Sequence, residues 1–324
     1  MSGAEAALAA LTDLTPDRAT ITAQVLAGLA QRPRTLPSKY FYDARGSALF
    51  EQITRQPEYY LTRTELALLE RELPAIAQQV GAQARVVEYG SGSGRKTRLL
   101  LRALPEVVAY TPIEISRAAL VASIHALAGD FPALEMLPVC ADFTDAVALP
   151  QPQQPARRTL LFFPGSTLGN FTDGEAVRLL RGMHRTMGAT GLALVGIDLV
   201  KEPARIEAAY NDAAGITAAF TLNLLERLNR EIGSDFALDR FRHRARYDPL
   251  HERIRTELVS EVAQRVQVAG QRFDFAAGEP IQVEYSHKYS DARFAALAAA
   301  AGLRVVAHWT AQPCSYGLRL LQWQ

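Results

Sequence analysis

The chain has 324 residues, a formal net charge of +1, two cysteines and 48% apolar residues. That suffices for one large domain or two small ones around a sizeable core. Near-neutral charge implies neither nucleic acid nor an anionic membrane as partner, and two cysteines make no disulfide framework.

Residues 1–30 read as one or two helices punctuated by Pro16. Residues 6–11 are apolar, but no basic residue precedes them, so no signal peptide is read. No apolar run has the length to span a bilayer, and a soluble cytoplasmic protein is expected. Tyr40, Tyr42, Tyr59 and Tyr60 lie near loops in one short region. They suit half-buried packing between helices or the wall of a ligand site. Thr62 and Glu65 have capping-box spacing, opening a helix that runs to about Val80.

From Arg85 the pattern alternates strand and helix, as in a parallel doubly wound sheet. The run Arg85-Val86-Val87-Glu88-Tyr89 breaks into Gly90, Gly92 and Gly94, then enters a helical pattern over 95–104. Glycines let a ligand lie against the backbone, and the helix start offers it unpaired N–H groups and a positive dipole end. The dinucleotide fingerprint needs a third glycine where Arg95 stands, and Arg95 also interrupts the G-K-[ST] of a phosphate loop. The shorter Glu88-Tyr89-Gly90-Ser91-Gly92 is the form that class I S-adenosylmethionine enzymes use. An ordinary strand–helix connection is the plain alternative.

The next two runs favour a cofactor. Residues 107–113 end in Glu114, an acid suited to both ribose hydroxyls. Residues 136–140 lead to Asp142 and Phe143, a carboxylate and a ring that suit adenine. Taken singly, each acid would serve as well as a helix cap or a solvated loop residue. Cys140 and Cys314 are expected to pack as small hydrophobes, and no metal site is read.

Residues 150–155 form a Pro/Gln loop, and 159–163 a buried strand. This strand runs into Gly165-Ser166-Thr167-Leu168-Gly169-Asn170. Ligand crevices in open sheets lie at the carboxyl ends of the strands, so this turn is expected to face the transferable methyl. Asn170 suits holding an amine or a carboxylate, or it simply caps the turn. Thr172 and Glu175 form another capping box, for a helix to about Met187, and 191–200 is the next strand. Helical patterns follow at 203–212 and 216–231, then β-like runs at 241–247, 254–259, 262–268 and 281–285. They read as an inserted subdomain with its own small sheet. A helix over 290–301, with Gly302 as C-cap, resumes the main fold. Residues 304–309 and 318–323 close it as an antiparallel pair.

Four segments carry a resemblance: Tyr40-Phe41-Tyr42-Asp43; Gln56-Pro57-Glu58-Tyr59-Tyr60-Leu61-Thr62-Arg63-Thr64-Glu65; Gly165-Ser166-Thr167-Leu168-Gly169-Asn170; and Tyr210-Asn211-Asp212-Ala213-Ala214-Gly215. Together they resemble the L-histidine Nα-methyltransferase family of ergothioneine biosynthesis, from about residue 35 to the C-terminus. The resemblance implies a class I, Rossmann-like α/β methyltransferase domain (64–200 plus 287–324) and an α+β substrate-binding domain (1–63 plus 201–286). It implies S-adenosylmethionine as cofactor, S-adenosylhomocysteine as product, and three methylations of the histidine α-nitrogen. Carried over by motif, Gly90, Gly92, Lys96, Glu114, Asp142 and Phe143 hold the cofactor. Tyr59, Asn170 and Tyr210 hold the amino acid's α-amino and carboxylate groups, Tyr42 sits near the amine, and Glu284 and Ser286 bond the imidazole. Motif alone leaves open whether Tyr59 or Tyr60 faces the ligand. Where the family is expected to carry a methionine beside the substrate ring, this chain has Thr256, which leaves the side-chain specificity open. A small-molecule substrate and a monomer are expected. The competing readings are a methyltransferase of the same fold acting on another amino acid or aromatic amine, an NAD(P)-dependent oxidoreductase, and a non-catalytic binding module that keeps the cofactor pocket.

Overall fold

The structure is a computed structural model that describes residues 3–313 and 315–324; Cys314 lies outside the described residues. The chain divides into two compact units, one of residues 1–15, 61–201 and 287–324, the other of 16–60 and 202–286.

The first unit is built on a nine-stranded sheet. Its main path runs Thr12–Asp13, Val139–Cys140, Ala109–Glu114, Ala84–Tyr89, Arg158–Phe163, Leu192–Asp198, Tyr316–Trp323 and Leu303–Thr310. Neighbours are parallel as far as Leu192–Asp198; Tyr316–Trp323 then runs antiparallel to both its neighbours, so the edge strand Leu303–Thr310 points the same way as the parallel set. Every residue of Ala84–Tyr89, Ala109–Glu114 and Leu192–Asp198 is buried. Parallel strands covered by helices on both faces are mostly apolar, and the buried polar exceptions here are hydrogen-bonded, as Arg85 is to Thr111 Oγ1 (2.9 Å). One face packs Val87, Ile113, Leu161, Phe163 and Ile197 against Leu180, Met183, Phe294 and Leu297 of two helices.

The expected elements are present with shifted ends. The strand read at 136–140 splits into Glu135–Met136 and Val139–Cys140. Residues 1–15, read with the substrate domain, belong to the first unit. The reason is pairing: Thr12–Asp13 adds a parallel edge to Val139–Cys140, and Gly3–Ala9 packs on Arg117–Asp130. Cys140 is fully buried, as expected. The capping box at Thr172 is formed; Glu175 accepts from both the backbone N–H and the hydroxyl of Thr172. The one read at Thr62 is not. That helix starts earlier, at Tyr60, which places Thr62 inside its first turn. Glu65 is instead 1% exposed and points into the unit's interior.

The second unit holds a four-stranded sheet in the order Arg34–Thr35, Pro280–His287, Arg253–Ser260 and Phe241–Asp248, its second strand reaching one residue into the first unit's share of the chain. A separate hairpin pairs Gln264–Val268 with Gln271–Phe275. The sequence reading missed Arg34–Thr35 and Gln271–Phe275. The helix read over 203–212 ends at Ala208, because Asp212 turns to cap the next one. Its carboxylate accepts from the N–H groups of Ile216 (2.7 Å) and Thr217 (2.8 Å), at the start of Ile216–Ile232. Among the described residues, no helix is long and apolar enough to cross a membrane.

Candidate active site

In the first unit, the turn after Ala84–Tyr89 takes positive φ at Gly90 (76°) and Gly92 (47°), which glycine adopts at no steric cost. The Gly90 N–H donates to Ile113 O (2.8 Å), and the Gly92 N–H to Glu114 Oε2 (3.2 Å). Glu114 thus closes on the glycine turn from the neighbouring strand tip. Its other oxygen accepts from Ser116 N (3.0 Å), and burial holds its carboxyl above the ordinary carboxylate range. Asp142 is buried, with Oδ1 accepting from the Thr144 backbone and hydroxyl. The Phe143 ring stacks on Tyr89 (centroids 5.3 Å apart) and meets Phe163 edge-on.

Beneath the turn lies Glu88, 1% exposed. Its Oε2 accepts from Thr97 in the following helix (2.7 Å) and from Tyr110 on the adjacent strand (2.5 Å). Burial outweighs these bonds and pushes its carboxyl up to about 7. The residue fastens the helix start to the sheet.

The turn fits an adenosyl cofactor carrying an amino acid end. A side chain built at Gly92 would meet nothing within 4 Å, so the space above the backbone is open. The buried Ser91 hydroxyl has no hydrogen-bond partner in the protein. Carboxylates stand at the next two strand tips, and the Lys96 ammonium comes near Gly165, 3.6 Å from where a Cβ would stand.

Gly165 to Asn170 form a tight turn after Arg158–Phe163, ending in a 3-10 segment, Thr167–Asn170. Ser166 takes a left-handed conformation (φ 57°) and its hydroxyl accepts from Asp198 N (2.9 Å). The Tyr289 hydroxyl donates to Leu168 O (3.2 Å). Asn170 is half-buried at the end of this pinned turn.

The other predicted residues lie in the second unit. Asp43 caps the helix Ala44–Ile53 through Gly46 N (2.7 Å) and accepts from Asn223 (2.9 Å) and Arg230 (2.6 Å). Next to it, the Tyr42 ring meets Phe50 and Phe220 edge-on. Phe50 meets Tyr59, and Tyr59 meets Tyr210 at 6.4 Å. The Tyr60 ring lies under Arg205 instead. Glu58 Oε1 accepts from Ala213 N (3.1 Å), so two of the recognised segments are bonded to each other. The backbone O of Tyr210 is held by His243 Nε2 (2.9 Å), and its hydroxyl pairs with Ser286 Oγ. Gln282, Glu284 and Ser286 alternate along Pro280–His287 and so share a face. Gln282 Nε2 donates to the backbone O of Thr256 and of Glu284. Thr256 Oγ1 and Gln282 Oε1 are buried without partners. Among the described residues, no group of three or more His, Cys, Asp or Glu is placed to hold a metal ion.

A parallel sheet with one reversed strand, Tyr316–Trp323, next to its edge, the glycine turn after the central strand and acids at the next two tips define a class I S-adenosylmethionine-dependent methyltransferase. Comparison with known proteins narrows this. The model of the family described as histidine-specific, S-adenosylmethionine-dependent methyltransferase matches residues 21–323. A histidine N-alpha-methyltransferase of Mycolicibacterium smegmatis is 40% identical over 91% of this chain and 92% of its own. Ergothioneine biosynthesis protein 1 of Neurospora crassa is 32% identical over 89% of this chain and 33% of its own. A 4-dimethylallyltryptophan N-methyltransferase of Aspergillus fumigatus is 27% identical over 93% and 94%. The chain belongs to the histidine-specific, S-adenosylmethionine-dependent methyltransferase family. That membership removes the dinucleotide reading.

Neither Glu65 nor Glu88 is among the expected site residues. A spacing rule draws Glu65 into a cap, and only its burial reveals another use.

Proposed function

We propose that this protein methylates the α-nitrogen of L-histidine three times, giving hercynine, as the first step of ergothioneine synthesis, and that it works as a cytoplasmic monomer. The observation that carries the acceptor's identity is the 40% identical relative, named for that reaction and matched over nearly its full length. The bound cofactor supplies an electrophilic methyl on a sulfonium whose departure leaves a neutral sulfide.

No general acid is then needed, and the protein's task is positioning. Gly90, Gly92, Lys96, Glu114, Asp142 and Phe143 hold the cofactor in this reading. Asn170, Tyr59 and Tyr210 hold the α-amino and carboxylate groups, with Tyr42 near the amine. The rings that join Tyr42, Tyr59 and Tyr210 favour Tyr59 over Tyr60 for this role. Glu284 accepts from an imidazole N–H and Ser286 serves the other nitrogen. The α-amine of a free amino acid is mostly protonated at pH 7 and must be neutral to attack, so the site lets that proton go to water or a nearby acceptor, without a dedicated strong base. Asn170 and the tyrosines orient the nitrogen while leaving room for three methyls.

Mass spectrometry of histidine incubated with S-adenosylmethionine and the protein tests this, with trimethylated product expected. Histidine recovered with no methylated product would refute it. In the same assay Asn170→Ala is expected to slow turnover at least tenfold; an unchanged rate removes Asn170 from its role.

A second reading, methylation of another amino acid or aromatic amine, draws on the buried, unpartnered Thr256 Oγ1 and Gln282 Oε1, which are spare acceptors for a different side chain. A substrate panel with labelled cofactor distinguishes the two.

A further inference from the structure

Glu65 reaches the two turns of the first unit at once. Both its oxygens accept from the Gly165 N–H, each at 3.0 Å. Its Oε2 also forms an ion pair with the Lys96 ammonium. The carboxylate is 1% exposed, while Lys96 retains 17%. Room for the carboxylate is made by Gly196, in the middle of Leu192–Asp198. A Cβ at that position would overlap Glu65 Oε1 and the Tyr316 hydroxyl. One buried anion therefore bonds the backbone that starts the Asn170 turn and the lysine that opens the glycine-turn helix.

We propose that Glu65 is a positioning residue that aims Lys96 at the cofactor's carboxylate end and fixes the Gly165–Asn170 turn. This rests on the reading that Lys96 holds the cofactor and Asn170 the acceptor. A lysine stem has four rotatable carbons and loses much rotamer freedom when held. A buried, charge-assisted partner removes that freedom before the ligand arrives. The bond to Gly165 acts on the second turn, because an N–H left buried without an acceptor moves to find one.

The two arms separate by substitution. Glu65→Gln keeps an oxygen for Gly165 and loses the charge that holds Lys96. Glu65→Ala loses both. Calorimetric binding of S-adenosylhomocysteine, measured without histidine, reads the Lys96 arm. The histidine KM at saturating S-adenosylmethionine reads the turn. Glu65→Gln is expected to weaken S-adenosylhomocysteine about tenfold and leave the histidine KM within about twofold. Glu65→Ala is expected to weaken both by about tenfold or more. In a Lys96→Met background, Glu65→Gln is expected to cause no further loss of S-adenosylhomocysteine affinity. Wild-type affinity or tighter binding in Glu65→Gln would overturn the proposal, tighter binding because the carboxylate would then compete with the cofactor rather than aim Lys96. So would a further loss in the Lys96→Met background, or equal KM changes in the two Glu65 variants. If the wild-type protein binds S-adenosylhomocysteine but does not methylate histidine, the proposed acceptor fails, while the calorimetric arm still judges Glu65.

Discussion

The hydroxyls of Tyr210 and Ser286 stand 2.6 Å apart, both in side chains less than 10% exposed. Tyr210 leads the segment whose Asp212 caps a helix, and Ser286 lies near the end of a central strand of the small sheet. Tyr210→Phe removes one hydroxyl and takes from Ser286 the hydrogen bond to it. The histidine KM is expected to rise about tenfold, with S-adenosylhomocysteine affinity unchanged. Calorimetry and steady-state kinetics on one preparation check this. A parallel loss of cofactor affinity would contradict it.

Glu284→Ala is expected to erode the preference for histidine over analogues lacking a ring N–H by about tenfold or more, and to spare cofactor binding. A site that hydrogen-bonds a polar ring rejects analogues through its own unpaired groups, and removing the acceptor removes that penalty. Competition between histidine and such analogues measures it; equal losses in selectivity and cofactor affinity would exclude the role.

Glu88 sets a pH dependence of stability. Burial raises its carboxyl from 4.5 in the open chain to about 7 in the fold. Between those values the unfolded chain has released this proton and the folded one retains it. Its contribution is therefore full below about 4.5 and is lost as pH rises through about 7, on the order of 3 kcal/mol in all. Glu88→Gln is expected to flatten that part of the stability–pH curve, read by denaturant melts from pH 4 to 9. An unaltered slope would place the titration elsewhere.

Gly196→Ala introduces a Cβ where Glu65 Oε1 and the Tyr316 hydroxyl already lie. Overpacking of this kind costs roughly 1–3 kcal/mol, so the melting temperature is expected to fall by several degrees. A melt at the wild-type temperature would mean the strand yields without cost.

Much of this protein is set by local sequence. The alternation of apolar runs with helical periods from Arg85 onward specifies a parallel sheet, because strands buried on both faces are mostly apolar and hold charged residues such as Arg85 and Glu88 only where these are hydrogen-bonded. Gly90 and Gly92 announce their turn, since few other residues take those φ values. The Thr172 box is legible because all its partners lie within four residues. Tertiary structure decided what spacing could not. Thr62 and Glu65 show the same local signature as a cap, yet Glu65 bonds residues 31 and 100 positions away. The edge strands Thr12–Asp13 and Arg34–Thr35 exist only because distant strands offer them hydrogen bonds. Two residues have too short a pattern to declare themselves. A local code governs groups whose partners are chain neighbours; a buried carboxylate finds its partners through the packing of the whole unit.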